Sequence, residues 1–199
     1  MAKGVLVDIT RCIGCRGCQV ACKGWNERKT VKTALQSGLT NPPKLSSDCY
    51  TNINFKEGQN QKGPMWSFVK KQCMHCKNPA CVSVCPVAAL TKTKAGPVVY
   101  NAEACIGCRY CMTACPFHIP KYEWEQVSPS VQKCTFCAER INGNLQPACT
   151  KTCPTSALLF GELDAIETEA KRRLKEKPGK YVNHIYGLEE EGGTSWLYI

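Results

Sequence analysis

The sequence predicts an α+β fold of short strands, short helices and long loops. Two observations predict it. Sixteen of the 17 cysteines in the 199 residues fall into four groups of four, separated by short apolar segments. The order of cysteine, proline, short helix, hairpin and new cysteine run also recurs, which indicates an internal repeat. No run of eighteen apolar residues is present, so we expect no membrane span of the chain's own.

The elements in the first half of the chain are predicted to be short. Gly4 to Ile9 predicts a strand, because alternate residues are apolar. We expect little regular structure in Asn26 to Pro64, which is rich in Asn, Lys, Gly, Ser and Pro, apart from a short strand at Tyr50 to Phe55. A short helix is predicted to end at Val87 to Leu90, before a hairpin at Thr91 to Val99.

The second half ends in one longer helix. Before it, we predict a turn at Ile141 to Asn144 and a closing strand at Leu158 to Phe160. Asp164 is the predicted N-cap of the helix, and Pro178-Gly179 ends it. Its apolar face is predicted to consist of Ile166, Ala170 and Leu174, and its basic face, which we expect to be solvated, of Lys171, Arg172, Arg173 and Lys175. A final strand is predicted at Tyr181 to Ile185.

The two central cysteine groups carry the most specific signal in the chain. They read Cys73-x2-Cys76-x4-Cys81-x3-Cys85-Pro86 and Cys105-x2-Cys108-x2-Cys111-x3-Cys115-Pro116. Successive runs of this kind hold two iron–sulfur cubanes side by side. The proline fits the first position of a helix, where no amide hydrogen is needed, so we expect a helix to begin after each fourth cysteine.

The outer two groups are variations on this pattern. The first reads Cys12-x2-Cys15-x2-Cys18-x3-Cys22, and Lys23 follows it in place of proline; the last reads Cys134-x2-Cys137-x11-Cys149-x3-Cys153-Pro154. We expect the adjacent central groups to pair with each other, and the first group to pair with the last. With the fourth cysteine exchanged within each pair, as in two-cluster ferredoxins, the sequence predicts four [4Fe–4S] clusters.

The predicted ligand sets follow from this exchange. They are Cys12, Cys15, Cys18 and Cys153 (set A); Cys134, Cys137, Cys149 and Cys22 (set B); Cys73, Cys76, Cys81 and Cys115 (set C); and Cys105, Cys108, Cys111 and Cys85 (set D). The fold class is therefore two ferredoxin-like 2[4Fe–4S] modules, the second inserted in the first. The predicted domains are an outer module (1–25 and 126–163), a loop-rich insertion (26–65), an inner module (66–125) and a C-terminal helix with an interface tail (164–199).

Other readings of the cysteines and the charge are weaker. A disulfide framework suits a small secreted chain, but no secretory signal opens the sequence. Zinc, in an interaction module with a basic surface for nucleic acid, remains the alternative of a different class. The formal charge is +10, but four clusters with their thiolates would contribute about −8. The basic residues therefore fit compensation of buried clusters better than a nucleic-acid partner.

No independent catalytic constellation is apparent. His75 is expected to lie beside the ligands or at the surface, and His118 and His184 have no partner pattern for acid–base chemistry. Cys49, the remaining cysteine, is expected to be a free thiol. The four tryptophans are expected to be core or interface anchors; they are Trp25, Trp66, Trp124 and Trp196. The sequence thus predicts a non-catalytic electron carrier, bound to a partner or, alternatively, diffusing alone.

The arrangement resembles the four-cluster ferredoxin-type iron–sulfur (beta) subunits of molybdopterin oxidoreductases. All four cysteine groups, their order and the long gap in the last one carry the resemblance. Asp8 to Cys22, Asn41-Pro42-Pro43, His184 to Gly187 and Gly192 to Thr194 look most like formate dehydrogenase beta subunits. Similar subunits serve nickel–iron hydrogenases, polysulfide or dimethyl sulfoxide reductases and quinone-reductase complexes.

The resemblance implies partners and a setting in anaerobic respiration. It implies a large molybdopterin-containing catalytic subunit, with molybdenum or tungsten, and a membrane subunit with haem or quinone, or a soluble acceptor. The complex would be membrane-associated, either periplasmic, by export with a signal-bearing partner, or cytoplasmic. The implied function is conduction of electrons between these partners.

Overall fold

The structure, a computed structural model, describes residues 1–33, 39–60, 63–127 and 129–199. Short elements dominate it. The strands are β1 (Lys3–Val7), β2 (Asn52–Asn60), β3 (Gly63–Lys71), β4 (Leu90–Lys92), β5 (Val98–Tyr100), β6 (Lys121–Tyr122), β7 (Val131–Gln132), β8 (Leu158–Glu162) and β9 (Trp196–Tyr198). The helices are α1 (Gly17–Trp25), α2 (Ala80–Ser83), α3 (Tyr110–Ala114), α4 (Ala138–Asn142), α5 (Ala148–Lys151) and α6 (Leu163–Glu176).

A three-stranded sheet joins distant parts of the chain. β1 lies in its centre, antiparallel to β8, with Val5 opposite Phe160, and parallel to β9, with Val5 opposite Trp196. Val5 and Trp196 are both almost fully buried. The predicted strands at Gly4 to Ile9 and Leu158 to Phe160 are thus confirmed in type, and a short 3-10 helix at Ile9–Arg11 ends the first.

The last strand is not the one that the sequence predicted. Tyr181 to Ile185 forms no strand, because Val182 is exposed and only Ile185 is buried, so the segment has no apolar face. The consecutive apolar residues of Trp196–Tyr198 form β9 instead, and all three are buried in the chain's own sheet.

Helix α6 covers one face of this sheet. Ile166 and Ala170 are buried against Leu6 and Leu197, as the apolar periodicity predicted, with Leu174 packed beside them. The N-cap prediction was wrong: Glu162 is the N-cap and Asp164 lies in the first turn. The helix begins earlier because the Leu163 amide donates to the Ala2 carbonyl, directly after β8.

The segment before the central cysteines is more regular than predicted. β2 and β3 form a hairpin of nine residues a strand, with Phe55 opposite Phe68 and Glu57 opposite Trp66. The rings of Phe55 and Phe68 lie 4.9 Å apart edge to face, and Trp66 packs against both. Such cross-strand aromatic pairs stabilise a hairpin. Residues 34–38, also within the predicted loop-rich region, lie outside the described residues.

In the three groups that end in Cys–Pro, a short helix lies before the fourth cysteine and not after it, whereas α1 of the first group contains Cys22. α2 ends at Ser83, and the chain then turns through Pro86 and Ala88 into β4. The predicted helix ending at Val87 to Leu90 is therefore wrong; the turn directs backbone N–H groups at the cysteine, as described below. The hairpin at Thr91 to Val99 is confirmed by the pairing of β4 with β5.

Candidate iron–sulfur centres

Each cysteine group begins with the same backbone turn. The second residue after the first cysteine has a positive φ in all four groups; these residues are Gly14 (68°), His75 (49°), Gly107 (69°) and Phe136 (57°). A left-handed residue at this point reverses the chain between the first two cysteines. In the last group the Phe136 amide donates to the Cys134 Sγ at 3.4 Å. The spacing Cys-x2-Cys is thus a loop that wraps around one centre.

A second recurring turn follows the Cys–Pro pairs. The third residue after the fourth cysteine again has a positive φ, at Ala88 (51°), His118 (52°) and Ser156 (51°). Burial raises the pKa of the Cys85 thiol, but the backbone N–H groups of Leu90, Val87, Ala89 and Ala88 donate to it and together lower that pKa overall. N–H groups aimed at a sulfur favour a thiolate, the form that binds metal.

The thiols of set A line a common cavity. Cys12, Cys15, Cys18 and Cys153 all face it, together with apolar side chains such as Phe68 and the buried Lys70. Burial raises the pKa of the Cys12 thiol, and the neighbouring thiols of Cys153 and Cys15 raise it further. Cys153, which is distant in sequence, thus lies beside the first group.

The thiols of set B are also neighbours, within a more deeply buried region. Burial raises the pKa of Cys22 to about 12, with further contributions from Cys149 and Cys137. The pKa of Cys137 is raised first by burial and also by Cys149. Cys134 is fully buried, and its pKa is raised by burial and by Cys22.

In the central groups, the fourth cysteine of each group likewise lies near the first three of the other. Burial raises the pKa of Cys81 to about 12, and the neighbouring Cys73, Cys115 and Cys76 raise it further. The pKa of Cys111 is raised to about 11 by burial and by its neighbours; these are Cys105, Cys108 and Cys85.

Shared core clusters connect the four sets through the interior. Cys18 and Cys149 belong to one core cluster, which joins set A to set B, and Cys76 of set C packs against the same cluster. Cys22 and Cys134 pack with Cys73 and Cys115 in a second cluster, which joins set B to set C. A third cluster contains Cys81 and Cys111, with Cys85 and Cys105 against it, and joins set C to set D.

His75 was predicted to lie beside the ligands or at the surface. It is buried, so the prediction of a surface position is wrong. Its Nδ1 accepts the Val98 amide at 2.9 Å, and its ring stacks on Phe136 at 4.9 Å. Burial lowers its pKa, as do Lys133 and Lys92, so the ring is neutral and carries its proton on Nε2. Among the residues that the structure describes, no acceptor lies within hydrogen-bond distance of that nitrogen. His75 follows Cys73, the first cysteine of set C, by two residues.

Other predicted residues take different positions. Cys49 is a buried thiol that donates to the Thr51 carbonyl at 3.3 Å. His184 is at the surface and pairs with Glu190 at 2.6 Å. Of the tryptophans, Trp196 is a core residue, whereas Trp25, Trp66 and Trp124 are exposed.

Sequence reasoning missed three lysines among the cysteines. Lys70 and Lys133 are buried and Lys92 is partly buried. The Lys133 Nζ donates to the Val98 and Cys134 carbonyls, and the Lys92 Nζ donates to the His75 and Gly96 carbonyls. Lysine is ordinarily a surface residue, and no local sequence signal marks these three as buried.

The donor set fits iron–sulfur clusters. Buried thiols with raised pKa values become thiolates when a cation binds them. The shared cavity of set A and the N–H groups directed at Cys85 provide the sulfur ligands and hydrogen bonds that such clusters use. Across the described ranges, no three His, Cys, Asp or Glu side chains are close enough together to hold a single metal ion.

Comparison with protein families identifies the arrangement. A 4Fe-4S dicluster domain matches residues 64–163, and a second 4Fe-4S dicluster domain matches residues 11–89. The chain belongs to the 4Fe-4S dicluster family. Its two domains together bind four [4Fe–4S] clusters, and its small sheets and short helices are those of a ferredoxin-type protein of mixed α and β structure. This cofactor replaces the zinc alternative.

Several known proteins are similar to this chain over nearly its whole length. A protein of Nitratidesulfovibrio vulgaris is 41% identical over 199 residues, with 98% of this chain and 53% of that protein covered. Hydrogenase-2 operon protein HybA of Escherichia coli O157:H7 is 37% identical over 231 residues (98% and 69%). The formate dehydrogenase-O iron-sulfur subunit of Escherichia coli K12 is 40% identical over 198 residues (98% and 65%).

The chain therefore spans between 53% and 69% of the length of these relatives. The resemblance to formate dehydrogenase beta subunits is confirmed by these similarities. None of the described helices is both long and apolar enough to cross a membrane.

Proposed function

We propose that this chain is an electron-transfer subunit whose four [4Fe–4S] clusters conduct electrons between a catalytic subunit and an acceptor. One observation carries the proposal: core clusters connect set A with set B, set B with set C, and set C with set D. When bound, the clusters supply closely spaced one-electron carriers. A row of such carriers suits conduction between two ends and requires no substrate site of its own.

The proposed ligands are the four sets named above, with the fourth cysteine exchanged within each pair. The neighbouring thiols of Cys12 and Cys153, and of Cys81 and Cys115, support this exchange. The same pairs support a division into an outer module (1–25 and 126–163) and an inner module (66–125) inserted in it. Residues 26–65 and 164–199 would then surround these modules.

The protein's own contribution is to bury the carriers and to fix their potentials. All four set B thiols are buried, as are three of the four in set C, so water is largely excluded from the middle of the row. Cys15, in set A, is exposed, and the set D thiols of Cys105 and Cys108 are half-buried. Both ends of the row thus lie nearer the surface than its middle does. Partner proteins could exchange electrons with the row at these two ends.

The proposed catalytic partner is a large molybdopterin subunit of the formate dehydrogenase type. The similarity to a protein named as a formate dehydrogenase iron-sulfur subunit supports this choice. The similarity to hydrogenase-2 operon protein HybA supports the second candidate, a nickel–iron hydrogenase. We propose a membrane-associated complex in which a haem or quinone subunit, or a soluble acceptor, receives or supplies the electrons.

Purification of the tagged chain with its natural partners tests the proposal. We expect about sixteen irons and sixteen acid-labile sulfides per chain, and a large subunit identified by mass spectrometry. Reduction of the clusters, followed by electron paramagnetic resonance, should occur with formate for the first candidate and with hydrogen for the second. A lone monomer that neither substrate reduces would contradict both and favour a diffusing carrier.

A further inference from the structure

The ammonium group of Lys70 lies in the interior between cysteine sets A and B. Its side chain extends from β3 and is only 3% exposed. The Nζ donates to the Thr51 Oγ1 at 2.5 Å and to the Gln72 Oε1 at 3.1 Å. It also lies 4.9 Å from the centre of the Trp196 ring. These contacts hold the positive charge at one defined point.

Strand β9 fixes the backbone of Lys70 as well. The Tyr198 hydroxyl donates to the Lys70 carbonyl at 3.0 Å and accepts from the Gln72 Nε2 at 2.6 Å. Tyr198 and Gln72 are themselves buried. The position of the ammonium is therefore set by a network of buried side chains and not by a mobile surface chain.

Lys70 has no carboxylate to balance its charge. Its described neighbours are a hydroxyl, an amide oxygen and an aromatic face, and none of the ion pairs in the described ranges includes it. An unpaired ammonium in a protein interior is strongly disfavoured. The negative charge that stabilises it must come from other groups.

The groups that can supply that charge are cysteines of two predicted ligand sets. Burial lowers the pKa of Lys70, but the thiols of Cys149, Cys18, Cys134 and Cys22 raise it overall. Cys18 belongs to set A, and the other three belong to set B. Lys70 also faces the cavity lined by all four set A cysteines.

We propose that Lys70 acts as a fixed, buried positive charge that raises the reduction potentials of the clusters bound by sets A and B. Each added electron makes a bound cluster one charge more negative, and a nearby cation stabilises that reduced form. Net charge and surroundings are among the properties that set cluster potentials. The inference rests on the proposed function only in taking these sets as the ligands.

The matched control is the neighbouring residue on the same strand. Lys71 carries the same formal charge one position further along β3, but its side chain is exposed. Charges at the surface are screened by water and salt, and a buried charge is screened much less. Replacing Lys71 thus changes the net charge of the chain without changing the charge between the sets.

The test is a redox titration of the purified complex, followed by electron paramagnetic resonance. For Lys70→Met, we expect at least one cluster to show at least a tenfold lower equilibrium constant for reduction, equal to 59 mV for one electron. Lys70→Arg, which keeps the charge, should shift the potential far less, and Lys71→Met should not shift it. Unchanged potentials in Lys70→Met would overturn the proposal, as would an equal shift in Lys70→Arg.

Iron and sulfide analysis accompanies each titration. If Lys70→Met does not assemble, Lys70→Gln provides the same comparison, because its shorter amide removes the charge and keeps a polar group near Thr51. Failure of the proposed function is distinguishable: a complex without formate or hydrogen activity can still give cluster potentials. Four bound clusters whose potentials do not change when Lys70 is replaced would contradict this inference but not the proposed function.

Discussion

Arg173 donates from its Nη1 to the Oδ2 of Asp8 at 2.8 Å, and this ion pair links helix α6 to the end of strand β1. Asp8 is fully buried and also accepts from the Tyr181 hydroxyl at 3.0 Å and the Thr10 Oγ1 at 2.6 Å. The carboxylate thus lies four residues before the first cysteine and fixes the approach to set A. Arg173 was predicted to lie on a solvated face, and this contact shows that it does not.

Loss of this carboxylate should destabilise the protein. For Asp8→Asn we expect the free energy of unfolding to fall by roughly 1.5–3 kcal/mol, because charged hydrogen bonds are replaced by weaker ones. The control is Glu176→Gln, which removes an exposed partner of Arg172 and should change the free energy of unfolding very little, because water screens an exposed ion pair. Denaturant unfolding of the cluster-loaded protein measures both; equal effects would contradict a special role for the buried pair.

The same pair predicts a flat pH dependence near neutrality. Burial raises the pKa of Asp8, but hydrogen bonds from Thr10, Tyr181 and Arg173 lower it overall below the ordinary value of 3.8. A lowered folded-state pKa gives stability that is present above the unfolded value and is lost as the pH falls through the folded pKa. The difference in the free energy of unfolding between wild type and Asp8→Asn should therefore not change from pH 8 to pH 6. A difference that shrinks over this range would show that the pKa is raised instead.

Gly187 should tolerate no side chain. Its φ is 94°, and a Cβ there would lie 2.2 Å from the Trp196 carbonyl oxygen, which belongs to strand β9. We expect Gly187→Ala to displace that strand and to destabilise the protein by roughly 3 kcal/mol or more, through strain and lost packing. Gly24→Ala is the control: it lies in helix α1 with no atom within 4 Å of the new methyl group, and should stabilise by about 0.5–1 kcal/mol. Thermal unfolding distinguishes the two, and comparable effects would refute the predicted clash.

Single serine substitutions should test the ligand sets. Cys12→Ser and Cys153→Ser should perturb the same cluster, whereas Cys22→Ser should perturb a different one. Each should remove up to about four of sixteen irons or change one paramagnetic signal. Cys49→Ser is the matched control, since Cys49 is buried but is not a member of any set. The iron content of the Cys49→Ser protein should equal that of the wild type. Different signals altered by Cys12→Ser and Cys153→Ser would contradict the exchange of the fourth cysteine.

The sequence predicts the sites better than it predicts the framework around them. Cysteine spacing is a local property, so the loops around Gly14 and Gly107, and the hairpin between β4 and β5, could be predicted. The hairpin of β2 and β3 could not, because no Asn-Gly or Asp-Gly pair marks the connection between its strands. Nor could the pairing of β1 with β9, which depends on residues almost 200 positions apart, or the burial of Lys70, whose partners come from three segments.

The central position of β1 has a consequence for synthesis of the chain. Val5 emerges from the ribosome long before Trp196, its neighbour in β9, which lies 191 residues further along the sequence. Closing so long a loop is costly in entropy and delays non-local strand pairing. The hairpin of β4 and β5, between the two central cysteine groups, needs only residues 90–100 and can form while translation continues. We therefore expect maturation to begin around the two central cysteine groups, before β1 can pair with β9.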